Sequence, residues 1–503
     1  MRFEASVRDA NQVRGIIKQL STEGPRGCQA FESRGSPSSQ VGMKEELTTF
    51  FPRALKAICC ILALCFFLAH ASAQTSIDET SRPANAGNTR ERGLEMLGEV
   101  KNVIKENYYD PTFRGIDLDQ RFKAAAERIK TMSTNSQVFR VIAQVLVEFN
   151  DSHTSFIPPS RTNRVEYGFS MQIIGRECYI VDVKKGSYAE AKGLQAGDMV
   201  LKIGPYMPVR EAMWKISYLI YALDPQEKLM LRVRSLQGTE REVQIESKTT
   251  TPEERRKEAE KRKAEKTDRP YKCQEISLDT ITCKLYSFSV EKSAIDKMMK
   301  EAGAHKNFIL DLRGNRGGYI ATELYLTGYF FDHDVKIGDE VTRKKTRERI
   351  AKSAREKVYA GKLMVLIDSD SASASEVFAR VVQIEKRGNL AGDVSAGAVM
   401  ASQFYPLAVG HGTSTTGVYT VFAISVTVGD LVMADGGRLE GVGVIPDFPV
   451  GPTGFALFKK TDPVLAFAAN KFGAQLSAEK AGQFFFMRQK PEEEEKEADD
   501  SVN

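Results

Sequence analysis

A serine at residue 373 is placed where a nucleophile could act. Ser373 follows the apolar run 363–368 and precedes the amphipathic run 376–385, so we predict a strand, a tight turn and a helix around it. Such a turn exposes the hydroxyl for attack on a carbonyl carbon, and the free amide of Ala374 at the helix start could stabilise the resulting oxyanion. The simpler interpretation is a helix cap, because serine is common at that position with an acidic residue soon after.

Two further polar groups could complete this chemistry. His153, one of five histidines, stands beside Ser152 in an Asn-Asp-Ser-His-Thr stretch at the end of a helical region. A histidine can take the proton of a serine hydroxyl near neutral pH, and a carboxylate can orient the histidine. Glu440 offers that carboxylate in the glycine-rich stretch 439–447. The competing interpretation is that His153 is structural, as isolated histidines usually are.

A pair of glycines offers a second oxyanion donor. Gly317 and Gly318 end the stretch Asp-Leu-Arg-Gly-Asn-Arg-Gly-Gly, which begins at Asp311 after a strand of buried type and leads into a helix. Glycine lets the backbone come close to a ligand, so either amide is a candidate donor. The same glycines could instead make an ordinary turn. The Walker pattern of a phosphate loop, with its Lys-Ser/Thr ending, is absent.

These motifs fall in segments of different pattern. Apolar residues at helical spacing predict a small N-terminal helical domain over residues 88–160. Strand and helix patterns alternate over residues 271–470, which predicts an α/β core with parallel strands and hence a multidomain α/β protein. Between them, short β-rich runs with turn glycines cover residues 164–249, and a run of Lys, Arg and Glu over residues 250–270 is typical of a solvated helix or a flexible linker. The acidic run within residues 485–503 predicts a disordered tail.

The β-rich segment resembles a PDZ domain. Residues 186–198 follow the PDZ signature, in which a short helix leads into a Gly-Leu-x-x-Gly-Asp turn. The residues Tyr167, Gly168, Phe169 and Ser170 then stand where the carboxylate-binding loop of a PDZ domain lies. The backbone amides of this loop are expected to hold the terminal carboxylate of a peptide while the following strand edge pairs with that peptide. The alternative is a PDZ domain that serves only as a structural lid.

An apolar run early in the chain is typical of a secretory signal. Residues 57–69 follow two basic residues and precede a small-x-small stretch, so we predict a signal peptide over residues 43–73 and a mature protein that begins near Gln74. Residues 1–42 are then a disordered or non-native extension, because signal peptides start near the N-terminus. We therefore expect the protein to be exported, periplasmic or secreted, with an uncleaved membrane anchor as the alternative.

Composition narrows the class of protein. The 503 residues include 71 basic and 66 acidic side chains, and the resulting net charge of +5 does not point to nucleic acid. A hydrophobic share of 42% is ordinary for a soluble globular protein. Cys273 and Cys283 flank a hairpin-like stretch and could pair in an exported protein or remain free buried thiols. No Cys/His metal pattern is present in the sequence, so we expect neither a metal nor a cofactor.

Taken in order, the motifs resemble those of the C-terminal processing peptidases and the tricorn-core proteases. The Asp-Ser-His-Thr stretch, the PDZ signature, Asp-Leu-Arg-Gly-Asn-x-Gly-Gly, Ser-Ala-Ser-Ala-Ser-Glu and Gly-x-Gly-Val-x-Pro-Asp follow one another as in that family. The resemblance covers about residues 90–460, nearly the whole mature chain. It implies a peptidase core of the crotonase-like kind and a serine endopeptidase that acts on exported polypeptides.

The family uses two catalytic arrangements, and the residues here match one of them. One branch pairs its serine with a lysine in a Phe-Gly-Lys-Gly motif, but the corresponding position in this chain is Ala398. The tricorn-like branch combines a serine–histidine pair, a nucleophilic serine and a late glutamate, for which the matching residues are Ser152, His153, Ser373 and Glu440. By this resemblance His153 is the base for Ser373, and Ser152 links the histidine to the glutamate.

Two other functions fit the same fold. A non-catalytic scaffold would bind peptide tails through the PDZ groove without turnover; the alanine at position 398 favours it, and the retention of His153 beside Ser152 argues against it. A ligand carrier, as in related retinoid-binding repeats, would lack the PDZ domain and have a broad apolar cavity. Polypeptides, recognised by their C-termini, are the expected partners of the leading interpretation. Members of the family often assemble, so the oligomeric state stays open.

Overall fold

The computed structural model describes residues 86–159, 164–264, 270–411 and 418–484 of the chain. The predicted signal peptide, the N-terminal extension and the acidic tail lie outside these residues. None of the helices in the described part is both long enough and apolar enough to span a bilayer. The described chain is a mixed α/β structure, as the alternating pattern of the sequence predicts.

The elements are numbered in chain order. The α-helices are α1 (Ala86–Asn107), α2 (Leu118–Ile129), α3 (Asn135–Val147), α4 (Tyr188–Ala191), α5 (Arg210–Tyr218), α6 (Pro252–Ala264), α7 (Lys292–Ala302), α8 (Ile320–Gly328), α9 (Ala374–Ile384), α10 (Gly454–Phe458), α11 (Pro463–Lys471) and α12 (Ala478–Gly482). The strands are β1 (Ser155–Ile157), β2 (Arg164–Glu166), β3 (Phe169–Ile174), β4 (Glu177–Val183), β5 (Met199–Ile203), β6 (Lys228–Arg234), β7 (Glu240–Glu246), β8 (Lys248–Thr250), β9 (Tyr271–Ser277), β10 (Thr280–Leu285), β11 (Asn307–Asp311), β12 (Val335–Thr342), β13 (Thr346–Ala351), β14 (Lys362–Ile367), β15 (Asn389–Gly392), β16 (Ala401–His411), β17 (Val418–Met433) and β18 (Phe448–Pro449).

The first three helices carry the apolar spacing seen in the sequence. Asp117 begins α2 by accepting a hydrogen bond from the amide of Gln120, and Thr134 begins α3 with a capping box. Their buried faces share one core with Phe422 and Ile424 of β17. The C-terminal end of helix α3 is therefore fixed by this core. The stretch that contains the Ser-His pair follows a few residues later.

Strands β3 to β7 form an antiparallel sheet in that order, with β3 at its edge. Along β6, buried and exposed side chains alternate, which is the period-two pattern of a sheet with one covered face. Ala212 and Ile216 of α5 are fully buried in the core of this region. Strand β2 pairs antiparallel with β8, so the chain enters and leaves the region at adjacent positions.

A six-stranded sheet forms the centre of the remaining chain, in the order β18-β15-β14-β11-β10-β9. All of its neighbouring pairs are parallel except β10 with β9. Helices α7, α8 and α9 share a core with one face, and α11 and α12 share a core with the other. Coverage on both faces explains why β11 and β14 are almost continuously apolar. Because β11 and β14 are parallel neighbours, the loops that follow them lie at the same edge of the sheet.

Sequence patterns did not predict the other large sheet. It runs in the order β1-β17-β12-β13, with β16 also paired to β17, and all its pairs are antiparallel. Strand β1 begins two residues after His153, so β17 holds one end of that loop in place. The charged segment after the β-rich region contains helix α6, one of the two alternatives that its composition allowed.

Cys273 and Cys283 are directly opposite each other on β9 and β10. The structure joins them in a disulfide, and so selects one of the two alternatives that the sequence left open. Cys178 is a buried free thiol.

Candidate active site

Ser373 lies between the end of β14 and the first residue of α9. Its backbone has φ 57° and ψ −120°, a conformation that is rare for a residue with a side chain. A strained turn of this kind, between a strand and a helix, is a common way to present a nucleophilic serine. The position predicted from the sequence is therefore accompanied by the backbone geometry that such a role requires.

The glycine loop after β11 packs directly against this turn. The carbonyl of Asn315 accepts hydrogen bonds from the amide of Ala372 (3.0 Å) and from the hydroxyl of Ser375 (2.8 Å). Gly317 has φ 88°, and a Cβ added to it would lie 2.7 Å from the Cβ of Ser373. Both the conformation and the space require glycine at this position.

Two backbone amides beside Ser373 have no hydrogen-bond acceptor among the described residues. One is the amide of Ala374, the first of helix α9, which has no partner within the helix. The other belongs to Gly318. The amide of Gly317 instead donates to Oδ1 of Asn315 at 2.9 Å. Of the two glycines considered from the sequence, Gly318 is thus the one with an uncommitted donor.

A buried carboxylate under the turn was not singled out as a site residue by the sequence patterns. Glu376 accepts four hydrogen bonds, at distances of 2.6 to 3.0 Å, from the hydroxyl of Ser395 and the amides of Gly397, Ala398 and Ser373. Burial raises the pKa of Glu376 to about 7, although all four hydrogen bonds favour the charged form. In the sequence, Glu376 looks only like an acid in the first turn of a helix.

Ser152, His153 and Glu440 form one hydrogen-bonded chain. Oγ of Ser152 lies 2.6 Å from Nδ1 of His153 and donates to Oε2 of Glu440 at 3.0 Å. Because the single hydroxyl proton goes to the carboxylate, Nδ1 of His153 must be the protonated nitrogen that donates to Ser152. Nε2 of His153 then carries the free lone pair, and no partner for it occurs among the described residues.

Burial determines the charge of His153. It lowers the pKa of the imidazole below its usual value, while the negative charges of Glu440 and Asp151 oppose this shift. The net direction is downward, so His153 is neutral near pH 7. A neutral imidazole with a free Nε2 is the form that can accept a proton.

The loop that carries His153 is fixed by a second buried carboxylate, which the sequence patterns also missed. Asp151 accepts hydrogen bonds from the amides of His153 (3.1 Å) and Thr154 (2.6 Å). It also accepts from the hydroxyls of Tyr108 and Thr427, both at 2.8 Å. The acid adjacent to the Ser-His pair thus anchors the loop to Tyr108, which directly follows α1, and to Thr427 of β17.

Glu440 connects the histidine side of the site to the serine side. Its Oε2 accepts the amide of Val399 at 2.9 Å, and the carbonyl of the preceding Ala398 accepts the amide of Ser373 at 2.8 Å. The four residues predicted from the sequence therefore meet in one place. No direct hydrogen bond joins His153 to Ser373 among the described residues.

The predicted carboxylate-binding loop lies at the start of edge strand β3. The side chain of Tyr167 is buried, and its hydroxyl accepts the amide of Gln226 at 2.8 Å. The carbonyl of Gly168 accepts the amide of Lys184 at 2.9 Å. Phe169 begins β3, so the four-residue stretch Tyr167 to Ser170 leads from a turn into the edge of the sheet.

Strand β3 also contacts the serine turn. Nε2 of Gln172 donates to the carboxylate of Asp368 at 2.8 Å, and the hydroxyl of Ser369 donates to the carbonyl of Ile173. Asp368 also accepts the amide of Gly314 at 2.8 Å. The β-rich region is therefore hydrogen-bonded to the loop after β14, and that loop is hydrogen-bonded to the loop after β11 at the same edge of the parallel sheet. Within the described residues, no cluster of side chains suited to a metal ion is present.

The parallel α/β core presents a strained serine, two free amides, and a neutral histidine linked to a glutamate, which are the kinds of group that acyl transfer by a serine needs. Comparison with known families agrees. Residues 280–450 match the family model described as peptidase family S41, and residues 90–147 match the Tricorn protease C1 domain. Residues 280–450 are thus a peptidase family S41 domain, and the chain is a serine peptidase with relatives named C-terminal processing peptidases.

Individual relatives are distant in sequence. The chain is 24% identical over 379 residues to the chloroplastic C-terminal processing peptidase of Tetradesmus obliquus, covering 70% of this chain and 76% of the relative. It is 23% identical over 390 residues to carboxyl-terminal-processing peptidase 2 of Arabidopsis thaliana, also chloroplastic, covering 75% and 72%. The solved structure of mature CPAF complexed with lactacystin aligns with a TM-score of 0.56 and 14% identity, covering 76% of this chain and 98% of that one. At that identity the likeness concerns the fold.

Proposed function

We propose that this protein is an exported endopeptidase that cleaves polypeptides with Ser373 as nucleophile and His153 as general base. The observation that carries the proposal is the chain from His153 through Ser152 to Glu440, which leaves Nε2 of the histidine as a free base. Glu440 also accepts the amide of Val399, next to the Ala398 carbonyl that accepts the amide of Ser373. The S41 peptidase domain makes polypeptides the substrate class. The early apolar segment, residues 57–69, is the basis for proposing export.

The reaction proceeds by acyl transfer. Nε2 of His153 takes the hydroxyl proton as Oγ of Ser373 attacks the peptide carbonyl, and it returns that proton to the leaving amine. The amides of Ala374 and Gly318 hold the oxyanion of the tetrahedral intermediate. Water then hydrolyses the acyl-enzyme by the same route. Glu440 favours the charged imidazolium through Ser152, without itself taking the proton.

The residue at position 398 excludes a lysine base at that place. Ala398 has no amine that could serve as a base, and its backbone already accepts the amide of Ser373 and donates to Glu376. At the position where the other branch of the family has its lysine, this chain therefore has only a backbone hydrogen bond to Ser373. His153, held neutral by burial, fills the role of base.

We further propose that residues 164–249 are a PDZ domain that recognises or gates substrate C-termini. An antiparallel sheet with the edge strand β3 and the buried face of α5 provides the two sides that a peptide groove needs. The loop from Tyr167 to Ser170 leads into that edge, where its amides would meet a terminal carboxylate. The contacts of Gln172 and Ile173 with the serine turn connect such a groove to catalysis.

A second candidate is a non-catalytic peptide-binding scaffold of the same fold. It is favoured by one observation, the absence of a direct hydrogen bond between His153 and Ser373 among the described residues. Catalytic hydrogen bonds are often long before substrate binds, so this geometry is compatible with either function. The two candidates differ in whether Ser373 reacts.

Labelling with a fluorophosphonate probe distinguishes them. Purified residues 74–503 would be treated as wild type, Ser373→Ala and His153→Ala, and the site of modification read by mass spectrometry. Label on Ser373 that disappears in both variants establishes a histidine-activated nucleophile. A folded wild type that takes no label, even with C-terminal peptides added to open a gated site, identifies the scaffold. Label that survives His153→Ala contradicts the proposed base.

A further inference from the structure

A buried lysine of the β-rich region contacts the loop that carries His153. Lys215 lies on α5 and is only 5% exposed. Its Nζ donates to Oδ1 of Asn150 at 3.0 Å and lies 5.2 Å from the centre of the Trp214 ring. Within the described residues it forms no ion pair with a carboxylate. Burial lowers the pKa of Lys215, which shows that the protein environment disfavours the charge it encloses.

Burying an ammonium group costs free energy unless its contacts compensate. The residue that accepts its hydrogen bond therefore indicates what the buried lysine holds in place. Asn150 stands two residues before Ser152 and has φ 51°, a conformation that asparagine tolerates better than most residues. Its carbonyl accepts Nη1 of Arg114 at 2.8 Å. Asn150, the first residue of the loop, therefore accepts hydrogen bonds from two basic side chains. Arg114 comes from the N-terminal helical region and Lys215 from the β-rich region.

Helix α5 reaches the other half of the site with its first residue. The guanidinium of Arg210 donates to the carbonyl of Val394 at 2.9 Å and to the carboxylate of Asp393 at 2.7 Å. Val394 directly precedes Ser395, the start of the segment that Glu376 binds. Helix α5 thus contacts both halves of the site. Its Arg210 contacts the segment beside the nucleophile, and its Lys215 contacts the histidine loop.

We propose that Lys215 is a positioning residue for catalysis, which holds the Asn150–His153 loop at the distance from Ser373 that proton transfer needs. It acts through Asn150 and not by contact with the reacting atoms. The inference rests on the proposed serine–histidine chemistry. A displacement of about 1 Å in a catalytic group can cost on the order of a hundredfold in rate, so a single hydrogen bond at the base of the loop is enough to matter.

The test compares matched variants of the full-length protein. Lys215→Met removes the ammonium group but keeps an unbranched side chain that is one atom shorter. Asn150→Gly removes the acceptor while tolerating the positive φ. The exposed Lys192, in the same region, gives the control Lys192→Met. Each variant is measured for its rate of fluorophosphonate labelling at Ser373 and for its melting temperature.

We expect Lys215→Met and Asn150→Gly each to slow labelling by about 10- to 100-fold. The double variant should be no slower than either single one, because both remove the same contact. Lys192→Met should label at the wild-type rate. Asn150→Asp, which keeps an acceptor for the ammonium, should label within about threefold of wild type. That variant tests the inference even if Lys215→Met does not fold.

Several results would overturn the inference. They are wild-type labelling in Lys215→Met, effects that multiply in the double variant, or slow labelling in Asn150→Asp while its melting temperature is unchanged. A loss of labelling that only follows the unfolded fraction would make Lys215 purely structural. Failure of the proposed function appears separately, as a wild type that takes no label on Ser373.

Discussion

The two halves of the site are organised around two buried carboxylates that differ in how they are satisfied. Glu376, on the nucleophile side, accepts three backbone amides and one hydroxyl, with two donors on each oxygen. Asp151, on the histidine side, accepts two amides and two hydroxyls, and its Oδ2 has a single donor, the hydroxyl of Tyr108. A hydroxyl can turn and accept a hydrogen bond, whereas an amide cannot.

This difference shows how each half is fixed. The serine turn is held by backbone groups from the loops at one edge of the parallel sheet, so its geometry follows from the fold itself. The histidine loop is held by the side chains of Tyr108, which follows α1, Thr427 of β17 and Lys215 of α5. The first arrangement should tolerate almost no change at its carboxylate, and the second should tolerate an isosteric change.

The largest expected effect is that of Glu376→Gln. Wherever the new amide nitrogen points, it faces at least one backbone N–H that it cannot accept. At pH 8, where Glu376 is ionised in the wild type, we expect labelling of Ser373 to fall by about 100- to 1,000-fold. Leaving buried donors unsatisfied should lower the free energy of unfolding by about 2–4 kcal/mol. Urea denaturation measures the second quantity, and a variant with wild-type stability and labelling would contradict the role assigned to this carboxylate.

Glu440→Ala should come next. Ser152 and the amide of Val399 both lose their acceptor, and His153 loses the charge that supports its imidazolium. We expect labelling to slow by about 100-fold with a loss of only about 1–2 kcal/mol in stability, because the site is partly open to water. Glu440→Gln, which keeps one acceptor, serves as the matched comparison and should lose less. Equal labelling in all three proteins would remove Glu440 from the mechanism.

Substitutions of Asp151 directly test the difference between the two buried carboxylates. In Asp151→Asn the nitrogen can replace Oδ2 and donate to Tyr108, so stability should change by less than about 1 kcal/mol and labelling by less than about threefold. Asp151→Ala removes all four contacts and should cost about 2–4 kcal/mol. If Asp151→Asn proved as damaging as Glu376→Gln, the two carboxylates would not differ as described.

The smallest effect is a shift along the pH axis. Burial lowers the pKa of His153, so the rate of Ser373 labelling should show a transition with a midpoint below pH 6.5 from this residue, separate from the one near 7 expected from Glu376. Over the window between that midpoint and 6.5, the unfolded chain binds more protons than the folded one. Stability should therefore rise with pH there and be lost as pH falls. Glu440→Gln removes a charge that raises the pKa of His153, so the midpoint should move lower still. A wild-type profile with a transition near 7 and none below 6.5 would contradict the assignment of His153 as the base.

Much of the fold followed from local patterns. The N-terminal helical region, the β-rich region and the strand–turn–helix at Ser373 were predicted because their apolar spacing is set within a few residues. The long hairpin of β16 and β17 was not predicted. Its residues have no periodicity distinctive enough to read, and its pairing partners β1 and β12 come from distant parts of the chain.

The residues of the site can likewise be divided into those that the sequence predicted and those that it did not. Ser373 and His153 stand in short motifs that indicate chemistry by residue type alone. Glu376 and Lys215 do not, since an acid in the first turn of a helix and a lysine on an amphipathic helix usually face water. Their roles depend on partners 19 to 65 residues away, Ser395 and Asn150, which only the folded chain brings together.

The pairing of β2 with β8 places the two ends of the β-rich region side by side. A segment whose ends adjoin can be cut out and closed with a short connector without rethreading the rest of the chain. Recombination could therefore replace residues 167–247 as one unit and leave the residues of the active site unchanged. A replacement module without a basic residue in the place of Lys215 would lack the contact with Asn150 that we propose positions the histidine loop.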